Sequence, residues 1–373
     1  MNPAAFFEKN AKKLFWKVLV PKASAVGPFR LKPGMSVLAL RPDRLGDFLL
    51  SAPALQLLVK QLGSADRLTL VAGERNESIA KFLFPNAEIL VFRKNLLSRL
   101  VLFLRLRWRK YDLVVDFHSY PFSTTSAVMA LCPRSSKRIG FWDDGKASET
   151  SRKVFNLGVP PPNKNIHEME KSLSLLKPLG LNPPKAREVV LNLPEVGSEV
   201  RSRVNAFYNQ IGMGPGTFVL AIHPTLQKAD NRWSLEHYAE LVRKTASLPR
   251  VKIVVVHGWG EEDRLQRFKN LVAEIPTAFV LPDENVLFIL EASKRFDLFV
   301  CNDSGLMHLA ALVTRVLAVF GPSEPSRWGP LKAGSRNPKI LRSKDHQCDS
   351  VKVAEVLREI RIILGHRRQK NPR

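Results

Sequence analysis

The chain has 373 residues, enough for two domains with a core each. Its 45% hydrophobic and 25% charged residues exclude a disordered chain, and three scattered cysteines without C-x-x-C spacing argue against a disulfide framework or a zinc site and for a reducing cytoplasm. A net charge of +24, with 20 Lys/Arg against 7 Asp/Glu in residues 1–110, predicts an acidic partner.

In chain order, the basic, apolar segment Phe6–Val20 comes first; its charges and lack of a cleavage site argue against a secretory signal. Apolar runs at Val37–Leu40, Arg67–Val71 and Leu113–Phe117 predict buried strands, and the spacing over Phe48–Gln61 predicts a helix. Leu96–Lys110 mixes bases with large apolar side chains. Like Phe6–Val20, it reads either as an interfacial helix on anionic lipid or as an ordinary packed helix with a basic face. Nucleic acid is not expected, because no recognition module surrounds the bases. The domain boundary is expected after a helix at His167–Leu179, within the Pro-rich stretch Leu181–Glu199 or the helix that follows it, ahead of a break at Gly212, Gly214, Pro215 and Gly216. Strands at Phe218–His223, Lys252–Val256, Leu298–Cys301 and Val316–Phe320 follow, with a helix at Leu235–Ala246. A last helix, Val351–Leu364, is expected to stop at Gly365. This alternation is that of parallel α/β units, divided into an N-terminal domain 1–200, a C-terminal domain 201–350, a terminal helix 351–364 and a basic tail 365–373 expected to be disordered.

Polar loops at strand ends carry the candidate chemistry. In Arg41–Asp47, Gly46 is expected to permit a tight turn, and Asp47 is either a reactive carboxylate or a helix N-cap. After the Phe218 strand, Thr225, Lys228 and Arg232 offer a hydroxyl and two cations to phosphate oxygens, or form a turn with incidental charges. The acids Glu261, Glu262 and Asp263 after Val256 suit ribose hydroxyls or simply a helix start. The strongest run is Asn302–His308. Ser304 and Gly305 open a helix whose amides suit a diphosphate, Asp303 precedes them and His308 lies one turn on. The loop at Gly321 lines the same cleft or is a structural turn.

In this order the segments RPDRLGD, YDLVVDFH, His167-Glu168, NDSGLMHLAA, VFGPSEP and Cys348 with VKVAEVLREI resemble glycosyltransferase family 9, the heptosyltransferases of lipopolysaccharide core synthesis. The resemblance implies a GT-B architecture, two Rossmann-like domains facing each other across a cleft. It also implies inverting, metal-independent transfer from an ADP-sugar co-substrate, with no other cofactor. It would make Asp47 the general base and Asp303, Ser304, Gly305 and His308 the donor turn. Thr225 would be a phosphate-side hydroxyl, and the 261–263 acids would lie near the nucleoside. An anionic glycolipid at the inner leaflet would be the acceptor, met by a cytoplasmic, peripherally bound enzyme. The family pattern K-x-W-P is broken here by Asn231 and Ser234 around Trp233, with Lys228 or Arg232 as possible replacements for the lysine. Another GT-B enzyme, such as a sugar-nucleotide epimerase, or a non-catalytic binder of anionic lipid or nucleic acid, are the competing readings.

Overall fold

A computed structural model describes residues 29–118, 123–135, 137–145, 147–160, 163, 165–282, 285–331 and 337–370, without the side chains of 366–370. The segment Phe6–Val20 and the last three residues lie outside the described residues. The chain divides into two compact units between Asn192 and Leu193.

The first unit runs β1 (Val37–Arg41), α1 (Leu45–Leu62), β2 (Leu68–Gly73), α2 (Glu77–Leu83), β3 (Glu88–Phe92), α3 (Leu96–Arg107), β4 (Leu113–Asp116), α4 (Thr124–Leu131), β5 (Arg138–Ile139), α5 (Ser148–Val154) and α6 (Glu168–Ser174). Its sheet has the order β3-β2-β1-β4-β5 with every pair parallel. The strands β1, β2 and β4 are buried along their whole length, as strands covered by crossover helices on both faces must be. A core of Leu38, Leu40, Val71, Val114, Met129 and Phe155 fills one face.

The second unit runs α7 (Ser198–Gln210), β6 (Phe218–Ile222), α8 (Leu235–Ala246), β7 (Val251–Val255), α9 (Glu262–Leu271), β8 (Ala278–Val280), α10 (Val286–Ser293), β9 (Leu298–Asn302), α11 (Gly305–Ala311), β10 (Val316–Phe320), α12 (Pro325–Trp328), β11 (Lys339–Arg342) and α13 (Val353–Lys370). Its parallel sheet has the order β11-β10-β9-β6-β7-β8. Trp233, fully buried, packs in the core with Tyr238, Phe268 and Ile360.

Three expectations change. A division at 200/201 would cut α7, which lies entirely in the second unit. The last helix does not stop at Gly365 but continues to Lys370; a glycine inside a helix costs only roughly 1 kcal/mol and does not by itself end one. Finally, Gly46 is not a turn residue: α1 begins at Leu45, so Gly46 is buried within its first turn and is not among the glycines with positive φ.

Candidate functional site

In the first sheet β1 and β4 are neighbours although β2 and β3 lie between them in sequence. That is a topological switch point, and open parallel sheets bind ligands beyond the carboxyl ends of the strands there. The residues following both strands converge on Arg41, which is 1% exposed. Its Nε donates to the Asp47 carbonyl at 3.1 Å, and another guanidinium N–H donates to the Phe117 carbonyl. It lies 3.1 Å from the Asp43 carboxylate and 3.5 Å from that of Asp47. His118 Nδ1 sits 3.0 Å from Asp43 Oδ1, and the His118 amide donates to Asp116 Oδ1 at 2.9 Å. The loop comes close because Gly73 has no side chain: a Cβ there would lie 2.5 Å from the Pro42 carbonyl oxygen.

These neighbours set different protonation tendencies. Burial raises the Asp47 carboxyl above its ordinary range against the pull of Arg41, and the Asp43 and Glu168 charges add to the rise. Burial works the same way on Asp43, but the His118 hydrogen bond and the Arg41 charge outweigh it and hold that carboxyl low. Asp116 is pushed up to about 7, chiefly by burial. Burial alone would lower the His118 imidazole; its bond to Asp43 and the nearby carboxylates raise it instead. The capping alternative for Asp47 does not hold, since Arg44 occupies the N-cap and Asp47 lies in the first turn of α1.

The corresponding switch point in the second sheet lies between β6 and β9. Past β6, His223 Nε2 lies 2.8 Å from Glu261 Oε2, and the same oxygen accepts from Thr225 Oγ1 at 2.5 Å and the Gly258 amide at 2.8 Å. Burial opposes ionisation of Glu261, but His223 and these donors prevail and hold its carboxyl down at about 2. Thr225 is 0% exposed, so its hydroxyl is committed to Glu261 and is not presented to a phosphate. Glu262 and Asp263 are exposed in the first turn of α9, and Glu262 accepts from the Gly260 amide at 3.3 Å.

At the end of β9, Asn302 is a buried node: its Oδ1 accepts from the Trp233 amide at 3.2 Å and the Tyr238 hydroxyl at 3.1 Å, and its Nδ2 donates to the Val319 carbonyl at 2.9 Å. Ser304 caps α11 by accepting from the Met307 amide at 3.2 Å, Gly305 is the first helical residue, and His308 is buried. Asn231 Nδ2 donates to Asp303 Oδ2 at 2.9 Å and Ser323 Oγ at 2.7 Å, tying the loops after β9 and β10 together. Arg232 spends its guanidinium on the Leu226 and Gln227 carbonyls. Lys228 is exposed and its ammonium makes no hydrogen bond or ion pair among the described residues. A Cβ on Gly321 would lie 2.8 Å from Cys348 Sγ and 3.0 Å from the Asp230 carbonyl oxygen, so this glycine lets the 228–231 turn pack on the β10 loop. Among the described residues no three His, Cys, Asp or Glu side chains gather as a metal site would require.

Residues 99–357 match the pattern of glycosyltransferase family 9 (heptosyltransferase). The chain belongs to that family. A relative, lipooligosaccharide heptosyltransferase 2 of Campylobacter jejuni, is 23% identical over 311 residues, covering 82% of this chain and 86% of its own. The family 9 glycosyltransferase of Veillonella parvula superposes with a TM-score of 0.74 at 18% identity, covering 91% of this chain and all of that one. The E. coli heptosyltransferase WaaC, solved with ADP, does so at 0.67 and 19%, covering 88% of this chain and all of its own. This family 9 protein is therefore a glycosyltransferase with the α/β GT-B fold.

Sequence reasoning gave no role to Arg41, Asp43, Asp116, His118 or His223. Asp116 and His118 had a readable signal, two polar residues closing the apolar run Leu113–Val115 at a strand end. His223 had none, because its partner Glu261 is 38 residues away.

Proposed function

We propose that this family 9 enzyme moves a heptose, or a related sugar, from an ADP-sugar to a lipopolysaccharide core or similar anionic glycolipid. The transfer inverts the anomeric centre, uses Asp47 as general base and needs no metal, and the enzyme works on the cytoplasmic side of the membrane that carries its acceptor. The observation that carries the reading is the state of Asp47. Its carboxyl is raised by burial, oriented by Arg41 and placed at the β1/β4 switch point. A base tuned upward toward neutrality accepts the acceptor's hydroxyl proton as that oxygen attacks the anomeric carbon, a contribution of about 10²- to 10⁴-fold. The leaving diphosphate gathers charge as the glycosidic bond breaks. First-turn amides of α11 at Gly305, with the His308 imidazole, are suited to hold that charge. Of the two candidate replacements for the family lysine, Lys228 fits, because Arg232 is already occupied by backbone carbonyls.

The names of the similar proteins support the donor and acceptor classes: WaaC was solved with ADP and with ADP-2-deoxy-2-fluoro heptose, and the Campylobacter relative is a lipooligosaccharide enzyme. The test is melting of the protein with ADP-, UDP-, GDP- and CMP-sugars, followed by transfer assays on wild type and Asp47→Ala. ADP-sugar alone should raise the melting temperature. The variant should keep that shift while transfer falls by at least about 10²-fold. Turnover by Asp47→Ala at the wild-type rate would remove the base assignment, and stabilisation by another nucleotide sugar would remove the donor.

A further inference from the structure

The helix α3 carries its apolar stripe on the wrong side for a packed helix. Leu102 and Leu106 face the core and are 5% and 0% exposed. Leu96, Leu97, Leu100, Val101, Leu104 and Trp108 are 51% to 81% exposed, six of the ten exposed large hydrophobic residues among those described. At about 100° per residue these six fall within one arc of about 140°, centred opposite Leu102 and Leu106. The outward face of the helix is thus a strip of leucine and valine ending in a tryptophan, with the exposed Arg107 in the same arc at its C-terminal end.

Charge decides what such a strip meets. Residues 89–111 hold seven Lys/Arg and no Asp/Glu. Arg93 pairs with Glu74 and Glu77, and Arg105 and Arg109 with Glu88. Lys94 before the strip and Arg107 and Lys110 near its end make no ion pair among the described residues. A second copy docked face to face would set these cations against their own equivalents, and like charges across an interface are unfavourable. An anionic bilayer offers the complement to both parts, phosphate for the bases and the acyl boundary for Leu, Val and Trp.

We propose that α3 is a membrane-docking helix that seats its 96–108 face in the interface of an anionic lipid bilayer. The proposal deepens the reading of a lipid-borne acceptor. Its test contains neither sugar nucleotide nor acceptor, so failure of one reading is distinguishable from failure of the other.

The full chain is mixed with phosphatidylethanolamine–phosphatidylglycerol vesicles, or with phosphatidylcholine vesicles, and bound protein is separated by flotation. Wild type should float with the anionic vesicles, less so at high salt, and not with the neutral ones. The double variant Leu100→Glu, Leu104→Glu changes only exposed positions, so its melting temperature should match wild type while its partitioning falls about tenfold or more. Wild-type partitioning by that variant would assign binding to another segment and overturn the proposal. Equal binding to neutral vesicles would overturn the anionic commitment. A concentration-dependent dimer abolished by the variant, with no flotation of wild type, would give the face to a second copy instead.

Discussion

Glu261 gathers three donors on one oxygen, His223, Thr225 and the Gly258 amide, and that geometry fixes how the second unit responds to acid. Its folded pKa is about 2 against an ordinary 4.5. A depressed carboxyl contributes stability above its unfolded value and loses it as pH falls through the folded one. The contribution at neutral pH is on the order of 3 kcal/mol. Denaturant titrations of wild type and Glu261→Gln should therefore differ by an amount that is constant above pH 4.5 and shrinks as pH drops toward 2; a gap that widens in acid would contradict the assignment. The sequence located Glu261 at the end of an apolar run but misread Thr225, because a buried hydroxyl and an available one look alike in a strand-end loop. Asp47 was readable for the opposite reason. It follows β1 by six residues, and the loop is too short to carry it away from the strand's end.

At the scale of elements, Asn302 shows a candidate site residue serving as a fastener. It joins β9, β10 and the start of α8 through the Trp233 amide, the Tyr238 hydroxyl and the Val319 carbonyl. Removing it leaves buried polar groups unsatisfied, at about 1–3 kcal/mol each. Asn302→Ala should lower the thermal midpoint by roughly 6–12 °C if about 3 kcal/mol is lost, and differential scanning calorimetry would register it; an unchanged midpoint would show that the network carries little weight. The elements themselves were unevenly legible. The seven strands read from sequence include every central strand, whose runs are mostly apolar and buried. The four missed, β3, β5, β8 and β11, are the edges of the two sheets. An edge strand packs on fewer sides, so β3 reads EILVF with one buried residue and β11 reads KILR with none. Such patterns do not stand out from a loop.

For the whole molecule, two units with separate cores divide at Asn192/Leu193. In the proline-containing stretch before that division, Lys185 and Arg187 are exposed on either side of the buried Ala186, in and beside the short 3-10 turn Ala186–Glu188. Exposed connecting segments outside the long helices and strands are where proteases cut first. Limited trypsin digestion should release a C-terminal fragment of about 21 kDa beginning at Ala186 or Glu188, identifiable by mass spectrometry, whereas first cuts inside the β6–β9 region would indicate a less stable second unit. The two-unit organisation was visible in the alternation of strands and helices. The Pro-rich stretch Leu181–Glu199 contains the observed division at Asn192/Leu193, but the cut at 200/201 fell too late, because α7 follows the prolines with an exposed, polar sequence that gives no sign of which core it joins.

The pairing of β6 with β9 also sets a schedule. Leu220 lies opposite Leu298 in the sheet, so the central strand of the second unit has only β7 to pair with until the ribosome has added 78 more residues. At about 5–20 residues per second that is a wait of roughly 4 to 16 s. During this interval the first unit is already complete and α3 already displays its leucines. A nascent chain in that state carries the apolar, basic face proposed for lipid before it carries the turn between β9 and α11, so the docking surface exists during synthesis and precedes completion of the second sheet.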